Sequence, residues 1–189
     1  MKRPAIFLDR DGVLIENCRD YVRSWADVEI LPGAIKSLAA ACDAPWHIVL
    51  VTNQSAVGRG LVSYRQVVTI NDRFLSIVRQ AGGRIDAAYI CPHSPEDGCD
   101  CRKPRPGLLL RAAQELDIDL AQSVMIGDAL TDIQAGQAAG VRSTALLRTG
   151  RGAEQERLPL AAELPPFLVF DSLASALATL DLPMAKGIL

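Results

Sequence analysis

Apolar and polar positions alternate along this chain in two rhythms. Short, largely β-branched apolar runs at 5–8, 48–52, 87–91, 123–126 and 143–147, with a weaker one at 167–170, are each bounded by charge, Gly or Pro and read as buried strands. Between them lie longer stretches with helical spacing, at 33–41, 63–80, 107–116, 130–139 and 172–180. In the longest, Val67, Ile70, Phe74, Ile77 and Val78 follow the 3-4-3-1 spacing of one helix face. Ser63 and Asp171 stand where N-caps belong, and Gly82-Gly83 and Gly140 where helices stop. Strand–helix alternation of this kind predicts right-handed βαβ units around a mainly parallel sheet. Two segments fit no element: 13–32, and the Cys/Pro/Asp-rich 92–106. Loops that long in compact α/β domains usually carry function. The polar stretch 149–157 reads as an exposed connection and 183–189 as a frayed tail.

At 189 residues the chain is expected to form one domain, 1–189, with a substantial core. A hydrophobic fraction of 49% argues against disorder. The formal net charge of −2 offers no global basic field for nucleic acid or anionic membrane, so any phosphate binding must be local. The N-terminal apolar stretch stops at Asp9, too soon for a secretory signal, and no run is long enough to span a bilayer. Five cysteines, three of them within 91–101, suit a reducing cytoplasm and metal ligation better than a disulfide framework. A monomer acting in the cytoplasm, without nucleic-acid or membrane partners, is the expectation.

The chemistry concentrates where strands end. Asp9 and Asp11 flank Arg10 just past the first strand, where open α/β sheets bind ligands. Alternate residues of an extended segment point the same way. Two carboxylates about 4 Å apart would repel by roughly 4 kcal/mol at an effective dielectric near 20, unless a cation or a proton intervenes. The second strand ends in Thr52-Asn53-Gln54-Ser55, whose hydroxyl and amide groups suit an anion, though such a sequence also makes an ordinary polar turn. Arg102-Lys103-Pro104 precedes a helix, with Lys103 a point charge for phosphate or merely solvated surface. Gly127-Asp128 follows the fourth strand. Asp128 could complete an oxygen-rich Mg²⁺ site or cap the helix, and Asp132 could cap the helix or orient a ligand. Cys91, His93, Cys99 and Cys101 supply the donor set of a closed, structural Cys₃His Zn²⁺ site stapling the loop 91–101.

Together and in this order, the four polar motifs resemble those of the haloacid dehalogenase phosphohydrolase superfamily. Cys91-Pro92-His93, Cys99-Asp100-Cys101-Arg102-Lys103-Pro104 and Thr52-Asn53-Gln54-Ser55 with Arg59-Gly60 narrow the resemblance further. They look like the D-glycero-D-manno-heptose 1,7-bisphosphate phosphatases, relatives of the histidinol-phosphate phosphatases. The resemblance implies a single doubly wound three-layer α/β/α domain with strand order 3-2-1-4-5 and no separate cap domain. It implies Asp9 as nucleophile, Asp11 as general acid/base, and Thr52 and Lys103 as stabilisers of the phosphoryl group. Mg²⁺ would be held by Asp9, Asp128 and the Asp11 carbonyl, with Asp132 in support. Asn17, Asp20, Asn53, Gln54, Ser55, Arg59 and Arg102 are expected around a small sugar-phosphate substrate. Histidinol phosphate is the rival substrate, with Glu16 or Asp20 meeting its amine. A catalytically dead zinc-containing interaction module is the rival of another class.

Overall fold

The computed structural model describes residues 2–180; the tail expected at 183–189 lies outside them. Six strands, β1 (Ala5–Leu8), β2 (His47–Asn53), β3 (Ala87–Cys91), β4 (Val124–Gly127), β5 (Ser143–Leu147) and β6 (Leu168–Phe170), form one sheet of order 3-2-1-4-5-6. Every pairing within it is parallel. The expected order therefore stands and gains β6 at one edge. In chain order the helices are α1 (Ala34–Ala40), α2 (Ser55–Gly58), α3 (Tyr64–Gln80), α4 (Gly107–Glu115), α5 (Leu130–Ala139), α6 (Gly152–Gln155), α7 (Pro159–Glu163) and α8 (Leu173–Thr179).

Side-chain alternation in β1 divides the core. Ile6 and Leu8 pack with Leu38 of α1, Ile70, Phe74 and Val78 of α3, and Leu173 and Ala176 of α8. Ala5 and Phe7 face the other way, toward Leu108, Leu109 and Ala112 of α4 and Ala135 and Ala139 of α5. Both faces are thus covered, as a parallel sheet requires. The Ser63 side chain accepts from the Gln66 amide and caps α3. The α8 cap is Ser172 and not Asp171, whose carboxylate instead meets Arg148 at 2.8 Å. Asn71, a polar residue on the α3 core face, is buried, while Ile77 is only half-buried.

Register decides where the chemistry falls. Leu8 pairs with Leu50 on one side and Ile126 on the other. The central strands end in step, and Asp9, Thr52-Asn53 and Asp128 emerge along one sheet edge. The chain crosses from β3 to β4 over β2 and β1, so its winding reverses beside β1, at the switch point where such sheets bind ligands. No helix of the described residues is long and apolar enough to cross a membrane.

Candidate active site

A cavity of about 540 Å³ opens over this edge. Asp9, Asp11, Asn17, Asn53, Gln54, Ser55, Arg102, Lys103 and Asp132 line it. Its floor is a buried charge cluster. Lys103, 2% exposed, places its ammonium 2.9 Å from Asp9 Oδ1 and 2.7 Å from Asp132 Oδ1, and donates to the Val51 carbonyl. Burial alone would favour a neutral amine, but Asp132 and Asp9 outweigh it and hold Lys103 charged well above the usual lysine range. Asp132 also accepts from the Ala129 amide at the start of α5, so it both caps the helix and pairs the lysine. Asp128 caps nothing. Its Oδ2 accepts from Asn17 Nδ2 at 2.6 Å and from the Arg151 amide at 2.9 Å.

Asp9, Asp128 and Asp132 bring carboxylate oxygens within 4.8 Å of one another. Asp128 Oδ1 is buried without a hydrogen-bond partner, and Asp9 Oδ1, also buried, meets only the Lys103 ammonium. Burial first, and the Asp9 charge second, push the Asp128 carboxyl upward from its ordinary range. Crowded, dehydrated carboxylates with unclaimed lone pairs are the donor set of a hard divalent cation. These residues fit Mg²⁺. The Asp11 carboxylate belongs to a different set of contacts. Arg10, 1% exposed, donates to both its oxygens at 3.1 Å and to Asn71 Oδ1 at 2.8 Å, while Gln54 Nε2 donates to Asp11 Oδ2 at 2.7 Å.

Several polar side chains expected to face substrate are engaged by protein. Gln54 also donates to the buried Thr52 hydroxyl. Both ends of the Asn53 amide are bonded to the Lys103 peptide, at 3.1 Å each, and Asn17 is bound to Asp128. Arg59 pairs with Glu96 at 3.8 Å, and neither Arg59 nor Asp20 lines the cavity. The segment 149–157 is no simple exposed connection. Thr149 donates its hydroxyl to the Gly12 carbonyl, Arg151 lines the cavity, and the segment contains α6. Its position just past β5, at the same sheet edge, was the available signal.

On the zinc-loop side, Cys91, His93, Cys99 and Cys101 gather. Their sulfurs stand 3.2, 3.4 and 3.6 Å apart, with His93 Nδ1 3.2 Å from Cys101 Sγ. Tetrahedral thiolates on Zn²⁺, with Zn–S near 2.3 Å, would stand about 3.8 Å apart, so the cluster is a few tenths of an ångström tight yet fits that ion. The neighbouring Arg102 donates to the His93 carbonyl at 3.3 Å.

A parallel sheet of this order, with a paired Asp-x-Asp just past the central strand and a lysine and further aspartates at its rim, defines a haloacid dehalogenase-type hydrolase. The HAD-hydrolase-like family model matches residues 100–176. The chain is 42% identical to D-glycero-β-D-manno-heptose-1,7-bisphosphate 7-phosphatase of Bordetella bronchiseptica over 78% of its own length and 82% of the relative's. It is 38% identical to the enzyme of that name from Photorhabdus laumondii, over 98% and 96%. The crystal structure of the B. bronchiseptica D,D-heptose 1,7-bisphosphate phosphatase with magnesium and phosphate superposes with a TM-score of 0.86 at 38% identity, covering 94% of this chain and 97% of that one. The chain belongs to the heptose bisphosphate phosphatase family of haloacid dehalogenase-type phosphoric monoester hydrolases.

Proposed function

We propose that this chain is an Mg²⁺-dependent phosphatase that converts D-glycero-D-manno-heptose 1,7-bisphosphate to heptose 1-phosphate and phosphate. The observation that carries the reading is the contact of Asp9 with the buried Lys103 beside the unclaimed Asp128 oxygen, in a chain whose relatives bear that activity. An Asp9 carboxylate oxygen attacks phosphorus as the bond to the sugar oxygen breaks, leaving an aspartyl-phosphate. Asp11 gives its proton to the departing oxygen, then takes one from the water that hydrolyses the acyl phosphate. For this its carboxylate, already on the cavity wall, must part from Arg10. Lys103, Thr52 and the adjoining Asn53-Gln54-Ser55 turn offset charge on the transferring group. Bound at Asp9, the Asp11 carbonyl and Asp128, Mg²⁺ would supply charge neutralisation for the phosphoryl oxygens. Arg102, held near the Zn²⁺ loop, would meet the sugar phosphate. Asp20 and Arg59 belong to the proposed substrate surroundings from outside the cavity wall, while Asn17 lines the cavity with its amide bonded to Asp128.

The reading takes residues 1–189 as one domain, active as a monomer in the cytoplasm on a small diffusible substrate. A paired assay tests it: purified protein with Mg²⁺ should release phosphate from the heptose bisphosphate far faster than from histidinol phosphate. The reverse preference would overturn the substrate, and no Mg²⁺-dependent release from any phosphoester would overturn the chemistry.

A further inference from the structure

Two loops from opposite ends of the sequence close over Asp128. From the β1 side come Gly12 and Asn17, and from the β5 side Thr149, Gly150 and Arg151. The Thr149 hydroxyl donates to the Gly12 carbonyl at 2.6 Å and ties the loops together. Asn17 Nδ2 and the Arg151 amide both donate to Asp128 Oδ2, and Oδ1 is left buried with no partner. The fit leaves no slack. Gly12 and Gly150 both adopt positive φ, 82° and 55°, and a Cβ on either would strike Asp128 Oδ2 and Asn17 Nδ2. A carboxylate with one oxygen saturated by two donors cannot rotate without breaking both bonds, so its second oxygen is aimed. Hydrogen bonds of this kind to a ligating carboxylate fix its orientation and are worth roughly 10–100-fold in metal affinity.

We propose that Asn17 and the Thr149–Arg151 segment form a clasp that orients Asp128, presenting Oδ1 to the divalent cation. Asn17 is thus a positioning residue for the metal rather than a substrate contact. The proposal rests on the Mg²⁺ site of the preceding reading and adds residues to it. Arg151 contributes through its backbone amide, while its guanidinium stands 3.6 Å from Oδ2 and lines the cavity.

Isothermal calorimetry of Mg²⁺ binding to the full chain, without substrate, tests the clasp. Asn17→Ala should weaken Mg²⁺ binding about tenfold, and the Mg²⁺ concentration giving half-maximal rate should rise in parallel. KM for the sugar phosphate, measured at saturating Mg²⁺, should stay near the wild-type value. Thr149→Val, nearly isosteric and touching neither donor to Asp128, should weaken Mg²⁺ binding less, and in the same direction. Asp128→Asn serves as the reference. If it abolishes Mg²⁺ binding while Asn17→Ala binds as wild type and raises only KM, the clasp is refuted and the metal site stands. Wild-type Mg²⁺ affinity in Asp128→Asn would overturn the metal site itself.

Discussion

Lys103 shows why residue type was legible here and residue partnership was not. The sequence displays a lysine before a proline and cannot say that its ammonium lies sealed between Asp9 and Asp132, since those partners arrive on β1 and α5. The amides of Asn53, Gln54 and Asn17 teach the same lesson. Asn53 and Gln54 stand at a strand end and Asn17 on the cavity wall, where an anion would pass, yet each bonds to protein, to the Lys103 peptide, Asp11 and Asp128 in turn. Removing the buried ammonium strands two carboxylates, so Lys103→Met should cost about 3–5 kcal/mol of stability, read as a lower urea midpoint, along with activity. Asp9→Asn keeps the side chain's shape but removes the proposed nucleophile. Turnover should fall by about three orders of magnitude or more with an unchanged circular dichroism spectrum, and substantial residual hydrolysis would contradict the role given to Asp9. Gln54→Leu deletes a charge-assisted bond to Asp11 worth about 1.5 kcal/mol. It should lower kcat by on the order of tenfold and leave KM largely in place.

Among the elements, the strands were readable because each apolar run is short and bounded, with the central β1, β2 and β4 buried on both faces, and β1, β3 and β5 fall where the pattern put them. The short helices α2, α6 and α7 were not, because four or five residues make barely one turn and never repeat the helical period. At the start of β2, His47 is buried with Nε2 unpartnered. Burial, aided by Arg3 and only partly opposed by Asp86, lowers its pKa below the ordinary value of 6.5. The folded chain therefore binds fewer protons than the unfolded chain between those two values, and stability rises with pH across that window. Thermal melts should lose midpoint as pH drops below about 6.5, and His47→Gln should flatten that slope. The loop after β3 makes a separate demonstration. Cys99→Ser should lower bound zinc, measured by atomic absorption, and reduce activity through disorder next to Arg102 and Lys103. Unchanged zinc content would remove Cys99 from the ligand set.

Across the whole molecule, the parallel order gathers residues more than a hundred positions apart onto one rim, which is why a chain of net charge −2 can still build a phosphate site. The order itself followed from the motifs and their family resemblance, whereas the edge strand β6, three residues long, barely announced itself. That same rim confines three buried carboxylates around one buried ammonium, with the Arg151 guanidinium at its margin. Folding without a cation means tolerating that surplus of negative charge, so the native state is strained by the arrangement it needs for turnover. A dication that binds only the folded form relieves the strain, by about 2.7 kcal/mol at a hundredfold excess over its Kd. Ion starvation would then shorten the lifetime of the polypeptide as well as idle it, because proteases harvest whatever fraction comes undone.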